Sequence, residues 1–245
     1  MILEIACFSL LGAITAQTAG ADRIEFCENP EEGGTTPSFG ALKVLRDKIS
    51  IPVFPIIRPR GGDFLYSPEE FEIMKQDILL CKELGFEGAV TGLLLADGSI
   101  DTYRTKILVD LSYPLEITFH RAFDRCKDPL TSLENVIDTG CQRILTSGQH
   151  TVAFDGAALI NQLVTAANHR ITIMPGSGVN SKNLNDLVSS TQATEFHASA
   201  RTPINTAMNY EVPGMNEKLV YMGVNAAEVT LMKSVLQSIN LNESS

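Results

Sequence analysis

Glu25, His120 and His197 are side chains of types that move protons near neutral pH. Imidazole titrates close to neutrality, so His120 and His197 suit a general acid/base pair, and Glu25 suits the base or the group that orients one of them. The competing reading is a pair of hydrogen-bonded core histidines. The densest cluster of candidate anion ligands is Arg58-Pro59-Arg60-Gly61-Gly62-Asp63. Guanidinium groups fork onto carboxylates and phosphates, and glycine lets a ligand approach the backbone. The bland alternative is an ion pair of Arg58 or Arg60 with Asp63 or Glu25 that stiffens a loop. Pro175-Gly176-Ser177-Gly178, Thr146-Ser147-Gly148 and Arg201 add a second set of anion candidates: Ser147, Gly176, Gly178 and Arg201. Their bland reading is a set of tight turns that need glycine.

A metal reading draws on the same residues. Cys27, His120, His197 and Glu25 make a mixed donor set that borderline metals accept. Copper as Cu(I) prefers two thiolates, which would bring in Cys7 beside Cys27. Cys81, Cys126 and Cys141 read as small apolar fillers, and His150 and His169 as surface loop residues.

Short apolar runs must hold these groups. Eight strand candidates recur along the chain: Leu3–Phe8, Arg23–Cys27, Val53–Pro59, Gly88–Leu94, Glu116–Phe123, Arg143–Ser147, Ile171–Pro175 and Glu195–Ala200. Helix signals lie between them. Ser9 and Ser38 are N-cap candidates, Ser67-Pro68-Glu69-Glu70 starts a helix that stops before Gly85, and Asp128-Pro129 starts one that ends at Gly140. Ser181 or Asn183 opens a seventh helix, and Ala226–Asn240 reads as the last. Strand–helix alternation predicts a parallel sheet, and eight units predict closure into a single (β/α)₈ TIM barrel over residues 1–245. The Gly-x-Gly-x-x-Gly turn of an open dinucleotide-binding sheet is missing. Residues 202–225 read as an insertion before the last helix, forming a loop near the site face or an oligomer contact.

Period-two alternation then assigns facing. Apolar residues point out beneath helices, so Glu4, Glu25, Cys27, Arg58, His120, His197 and Ser199 point inward and Cys7 points outward. On this parity Cys7 and Cys27 do not share an ion unless the first strand bulges.

Composition sets the outer limits. A hydrophobic content of 44% over 245 residues is ample for one core, and a net charge of −10 disfavours nucleic acid and anionic membrane as partners. No apolar run is long enough for a membrane span. Five scattered cysteines without a CxxC, and a first strand beginning at Met1-Ile2-Leu3, suit a cytoplasmic protein without a leader.

Ordered blocks of the chain resemble the CutC family, named for a proposed role in copper homeostasis. They are Gly20-Ala21-Asp22-Arg23-Ile24-Glu25-Phe26-Cys27, Glu32-Gly33-Gly34-Thr35-Thr36-Pro37-Ser38 and Ile57-Arg58-Pro59-Arg60-Gly61-Gly62-Asp63-Phe64. Thr118-Phe119-His120-Arg121-Ala122-Phe123-Asp124, Arg143-Ile144-Leu145-Thr146-Ser147-Gly148 and Glu195-Phe196-His197-Ala198-Ser199-Ala200 continue the match. The resemblance implies a cytoplasmic (β/α)₈ barrel, a homo-oligomer, and copper binding with Cys7 and Cys27 as ligands. Ala198 departs from the Cys or Ser of relatives, and Ser177 from the Gly of many. The residue chemistry itself points to a different function: an enzyme doing acid/base work on a small phosphorylated or carboxylated metabolite.

Overall fold

The computed structural model describes residues 1–216 and 219–243. Residues 217–218 of the expected insertion and the last two of the chain lie outside the described residues. Eight parallel strands alternate with helices. They are β1 (Ile2–Cys7), β2 (Arg23–Phe26), β3 (Val53–Pro55), β4 (Gly88–Thr91), β5 (Glu116–Phe119), β6 (Arg143–Thr146), β7 (Thr172–Pro175) and β8 (Glu195–Ala198). The helices are α1 (Leu10–Thr18), α2 (Phe39–Arg46), α3 (Pro68–Glu83), α4 (Thr102–Ser112), α5 (Pro129–Thr139), α6 (Ala157–Ala167), α7 (Leu184–Thr191) and α8 (Ala226–Glu243).

The strands run in two sequential sheets, β3-β2-β1-β8 and β4-β5-β6-β7. A parallel bridge between Ile56 and Val90, with Ile57 N–H donating to the Val90 carbonyl at 2.7 Å, joins β3 to β4. On the other side β7 adjoins β8. The circuit is that of a (β/α)₈ barrel.

Local chemistry places the helix starts. The Ser9 and Ser38 side chains accept from Gly12 N and Ala41 N, and Ser67 with Glu70 forms a reciprocal capping box ahead of Pro68. Asp128 accepts from Leu130 N and Thr131 N, and Gly140 at φ 86° ends α5 in the left-handed conformation that glycine adopts without strain. Of the two candidate openers of α7, Asn183 holds the N-cap position, without a side-chain cap bond.

Strands are shorter than the apolar runs suggest. The run after Phe119 leaves the sheet because Arg121–Arg125 winds into a 3₁₀ turn, held by Arg121 on Asp124 at 2.8 Å and by Asp124 accepting from Ser147 N–H at 3.0 Å. The segment expected as a loop is instead an antiparallel hairpin over much of its length, β9 (Arg201–Asn205) with β10 (Val220–Val224).

The apolar core is chiefly the layer between barrel and helices, where Leu3, Ile5, Cys7, Ile24, Phe26, Ile117, Phe119, Ile144, Ile173 and Phe196 are buried. The barrel floor is ionic. Arg23 pairs with Glu4 and, at 2.6 Å, with Glu195; Arg143 reaches Glu195 at 2.6 Å and Glu116 at 3.2 Å. Both guanidinium groups lie over the Phe54 ring, at 5.0 and 5.4 Å from its centroid. Glu195 is the shared anion between two buried cations, and its loss leaves both short of a partner. Glu195→Ala is therefore expected to destabilise the fold by about 3–5 kcal/mol. Urea denaturation checks this: the midpoint should fall at unchanged m. An unchanged midpoint would show that the floor network is not coupled to stability.

Candidate functional site

Above the ionic floor the inward parity positions converge. Ala6, Phe8, Glu25, Ile56, Arg58, His120, Leu145, His197 and Ser199 all line one cavity of about 930 Å³ at the C-terminal ends of the strands. That volume is in the range of small-molecule sites. The loops after β7 and β8 supply Ser177, Gly178 and Arg201 to its rim, and the turn after β5 supplies Arg121 and Arg125.

His197 sits between two carboxylates. Its Nδ1 lies 2.8 Å from Glu4 Oε1, and its Nε2 lies 3.7 Å from Glu25 Oε2. Burial opposes ionisation of Glu4, but the Arg23 charge and the His197 hydrogen bond outweigh it and hold the carboxyl at about 2. An ionised Glu4 only accepts, so the His197 proton resides on Nδ1 and Nε2 faces Glu25. Burial works to lower the His197 value, yet the Glu25 charge and the Glu4 bond carry it above 6.5. Burial pushes Glu25 up, with the Glu4 charge adding and His197 opposing. The result is a buried carboxyl and imidazole 3.7 Å apart, each holding its proton more firmly than the free group.

His120 is different. It is 4% exposed, and its Nδ1 accepts the Ala122 N–H at 3.2 Å. Burial first, and the Arg58 charge second, push it down to about 3. It is a neutral imidazole whose remaining proton is on Nε2, and Nε2 has no partner. Glycines seat both rings: a Cβ at Gly92 would stand 2.5 Å from His120 Nδ1, and one at Gly176 3.2 Å from His197 Cβ.

Arg58 is buried, yet none of its partners is a carboxylate. Its Nη1 donates to the carbonyls of Glu32 (2.5 Å) and Gly34 (2.8 Å), and its Nη2 to that of Gly62 (2.9 Å). The guanidinium lies 5.0 Å from the Phe64 ring centroid. Carbonyl dipoles fix its place while leaving its charge uncompensated.

Other candidates fall outside the cavity. Arg60 turns away to Glu70 at 2.5 Å and Asp63 at 3.0 Å, so it stiffens the loop. Ser147 is buried in the wall, accepting from Arg121 Nη2 at 2.8 Å with its N–H on Asp124. Gly176 contributes room for His197 and Leu145. Gly178 and Arg201 do line the rim, Arg201 lying 4.6 Å from the Phe8 ring centroid. Glu4 is the participant that sequence reasoning placed inward without giving it a role; its signal was a charged residue alternating with apolar ones on β1.

The thiols do not fit a soft copper centre. Cys7 belongs to the outer apolar layer and donates to the Ile5 carbonyl at 3.6 Å. Cys27 lies inside with Phe54, Ile56 and Val90 and donates to Glu25 Oε2 at 3.4 Å. Burial and the nearby Glu25 charge raise both thiols, which keeps them protonated. Among the described residues no group of three or more His, Cys, Asp and Glu is arranged to hold a metal ion.

Fold and site together define a (β/α)₈ barrel with a polar cavity at the C-terminal mouth of its strands. The CutC family profile matches residues 1–202, and the chain belongs to that family. It is 50% identical over 214 residues to a family protein CutC of Chromobacterium violaceum, covering 87% of each chain. It is 45% identical over 243 residues to that of Erwinia tasmaniensis, covering 96% of each. A solved CutC structure from Streptococcus agalactiae, named for copper homeostasis, superposes with a TM-score of 0.76 at 34% identity, over 81% of this chain and 98% of that one. Phosphoribosylanthranilate isomerase from Thermotoga maritima, at 10% identity and a TM-score of 0.60 over 97% of this chain, shares the fold alone.

The titrations have definite signs. The His197 contribution to stability is present below about pH 6.5 and is lost as pH rises through its raised folded value. That of Glu4 is present above about pH 4.5 and is lost as pH falls toward 2. His120 costs stability as pH falls from 6.5 toward 3, because the unfolded chain takes a proton that the native imidazole refuses. Imidazole NMR should therefore show His197 titrating above 6.5, and titrating lower in Glu4→Gln. A His120 resonance that titrates between pH 5 and 8 would contradict the assigned environment.

Proposed function

We propose that the protein is an enzyme that does acid/base chemistry on a small anionic metabolite, phosphorylated or carboxylated. The observation that carries this reading is the line Glu4–His197–Glu25, opening into a cavity that also holds a buried guanidinium without a carboxylate partner. Glu4 fixes the His197 tautomer and ring, and Glu25 and His197 exchange the proton with substrate. Arg58 holds a negative oxygen deep in the cavity, and Arg201 with the Gly178 backbone holds a second anionic group at the rim. Nothing in this division of labour uses a thiol. Copper binding, carried by the family's association with copper homeostasis, would run through Cys27 against a raised thiol and a carboxylate neighbour.

Calorimetry with a panel of phosphorylated and carboxylated metabolites tests the reading. A binder is expected whose affinity drops at least tenfold in Arg201→Met without change in the melting temperature of the free protein. Turnover of that binder is expected to fall about 100- to 10,000-fold in Glu25→Gln. Anaerobic Cu(I) titration against a competing chelator is expected to give weak binding that Cys27→Ser leaves unchanged. Tight stoichiometric binding lost in Cys27→Ser, with no binder in the panel, would replace the enzyme reading with the copper one.

A further inference from the structure

The two sides of the cavity differ in what they can do with a proton. On one side Glu25 and His197 face each other at 3.7 Å; burial raises the Glu25 value, while the Glu25 charge and the Glu4 hydrogen bond raise that of His197. On the other, the single Nδ1 lone pair of His120 accepts the Ala122 N–H, so only the Nε2–H edge is without a partner. That ring is fixed against Phe64, with centroids 5.0 Å apart, and is tilted 55° to it; the Arg58 guanidinium lies 5.0 Å from the centroid of the same Phe64 ring. A neutral donor beside a fixed positive charge cannot serve as a base. It suits an oxygen that gains negative charge during reaction, because a neutral imidazole can hydrogen-bond that oxygen without having delivered a proton to it beforehand. One substrate feature needs both sides at once: a carbonyl group with a C–H on the adjacent carbon.

We infer, resting on the acid/base reading above, that the substrate class is a phosphorylated hydroxy ketone or hydroxy aldehyde, and that the reaction moves a proton at the carbon beside the carbonyl. His120 Nε2–H and Arg58 hold the carbonyl oxygen. The C–H bond breaks, its proton goes to the Glu25 carboxylate, and its electron pair forms the C=C bond of an enediolate. The carbonyl π pair moves onto the oxygen held by His120. Return of the proton to the former carbonyl carbon, with the proton of the adjacent hydroxyl passing to the oxygen held by His120, shifts the carbonyl along the chain; return to the original carbon, after exchange on Glu25, replaces the hydrogen with one from solvent. The step is redox-neutral and needs no co-reactant. Arg201, Ser177 and Gly178 at the rim, with the exposed Arg125, face the place for the phosphate. A cavity of about 930 Å³ has room for a sugar phosphate.

The test uses dihydroxyacetone phosphate, ribulose 5-phosphate and fructose 6-phosphate in D₂O, with loss of the C–H signal followed by ¹H NMR. Protein-dependent exchange is expected with at least one of them. His120→Gln should slow it about 100- to 1,000-fold, the effect of removing one oxyanion donor. Binding of glycerol 3-phosphate, which has the phosphate and no carbonyl, should survive that substitution. A wild-type measurement stands beside the variant: ¹⁵N NMR should show the His120 proton on Nε2, with its signal shifting when phosphoglycolohydroxamate, a mimic of the enediolate, is added. No exchange with any of the three while glycerol 3-phosphate binds would overturn this inference and leave the anion-binding enzyme reading standing. A His120 proton on Nδ1, or an Nε2 signal that phosphoglycolohydroxamate leaves unmoved, would overturn it too. Failure of all the phosphates to bind would overturn this inference as well, while the acid/base reading itself would then stand or fall on the carboxylated members of the calorimetric panel.

Discussion

The rest of the site depends on the sharing of one carboxylate. Glu4, with no exposed surface, is held by Arg23 through one oxygen and accepts from His197 through the other. Without Arg23, burial would drive this carboxyl toward its neutral form, and a neutral Glu4 would no longer dictate which nitrogen of His197 carries the proton. Arg23 is kept in place by Glu195, which Arg143 shares. The ionic floor is thus the first link of a chain of orientation that runs upward through Glu4 and His197 to Glu25. The floor that pairs the buried charges and the carboxylates that flank His197 are one network seen at two heights in the barrel.

This arrangement explains why the interior tolerates so much charge. A buried ion costs several kcal/mol unless it is paired and its remaining hydrogen-bonding capacity is met. The floor meets that condition with alternating signs and with the Phe54 face between the two arginines. The upper layer deliberately fails it. Arg58 has carbonyl dipoles in place of a counter-ion, and His120 Nε2–H has nothing. Tyr66 Oη and Thr105 Oγ1 are also buried without a partner, but among the described residues only Arg58 and His120 combine an unmet polar atom with a place in the cavity lining.

Much of this was legible in the sequence because strand parity is rigid. Polar residues alternating with Ile24, Phe26, Ile117, Phe119, Phe196 and Ala198 placed Glu25, Cys27, His120 and His197 inside and Cys7 outside, and the structure puts all five there. Parity says nothing once the chain leaves a strand. Arg58 and Arg60 have the same side-chain chemistry and sit two residues apart, yet one is drawn into the cavity by three carbonyls and the other out to Glu70 and Asp63. The Arg60–Asp63 pair was among the alternatives the local sequence offers, but Glu32, Gly34 and Glu70, which decide where each guanidinium goes, lie on another loop and in α3. Ser147 escapes parity for a similar reason: the Asp124 that captures it lies in a 3₁₀ turn just past the apolar run read as strand. Glu4 was placed correctly but its role needed a distance, because only the 2.8 Å contact separates an orienting carboxylate from a structural one.

The protein's overall charge of −10 would at first sight oppose an anionic ligand. Range decides the matter. At physiological salt, exposed charges are screened beyond a Debye length of about 8 Å, so the distant acidic surface contributes little at the cavity. Charges within the cavity are screened far less, and there the lining carboxylates Asp124 and Asp63 are taken up by Arg121 and Arg60, while Arg58 lacks a carboxylate partner and Arg125 and Arg201 stand at the mouth beside Glu32. Glu25, the acid nearest the reacting position, is moved toward its neutral form by burial and so adds less repulsion than its type suggests. An acidic barrel therefore keeps unpaired guanidinium groups at its cavity, and the burial that raises Glu25 reduces the negative charge beside them.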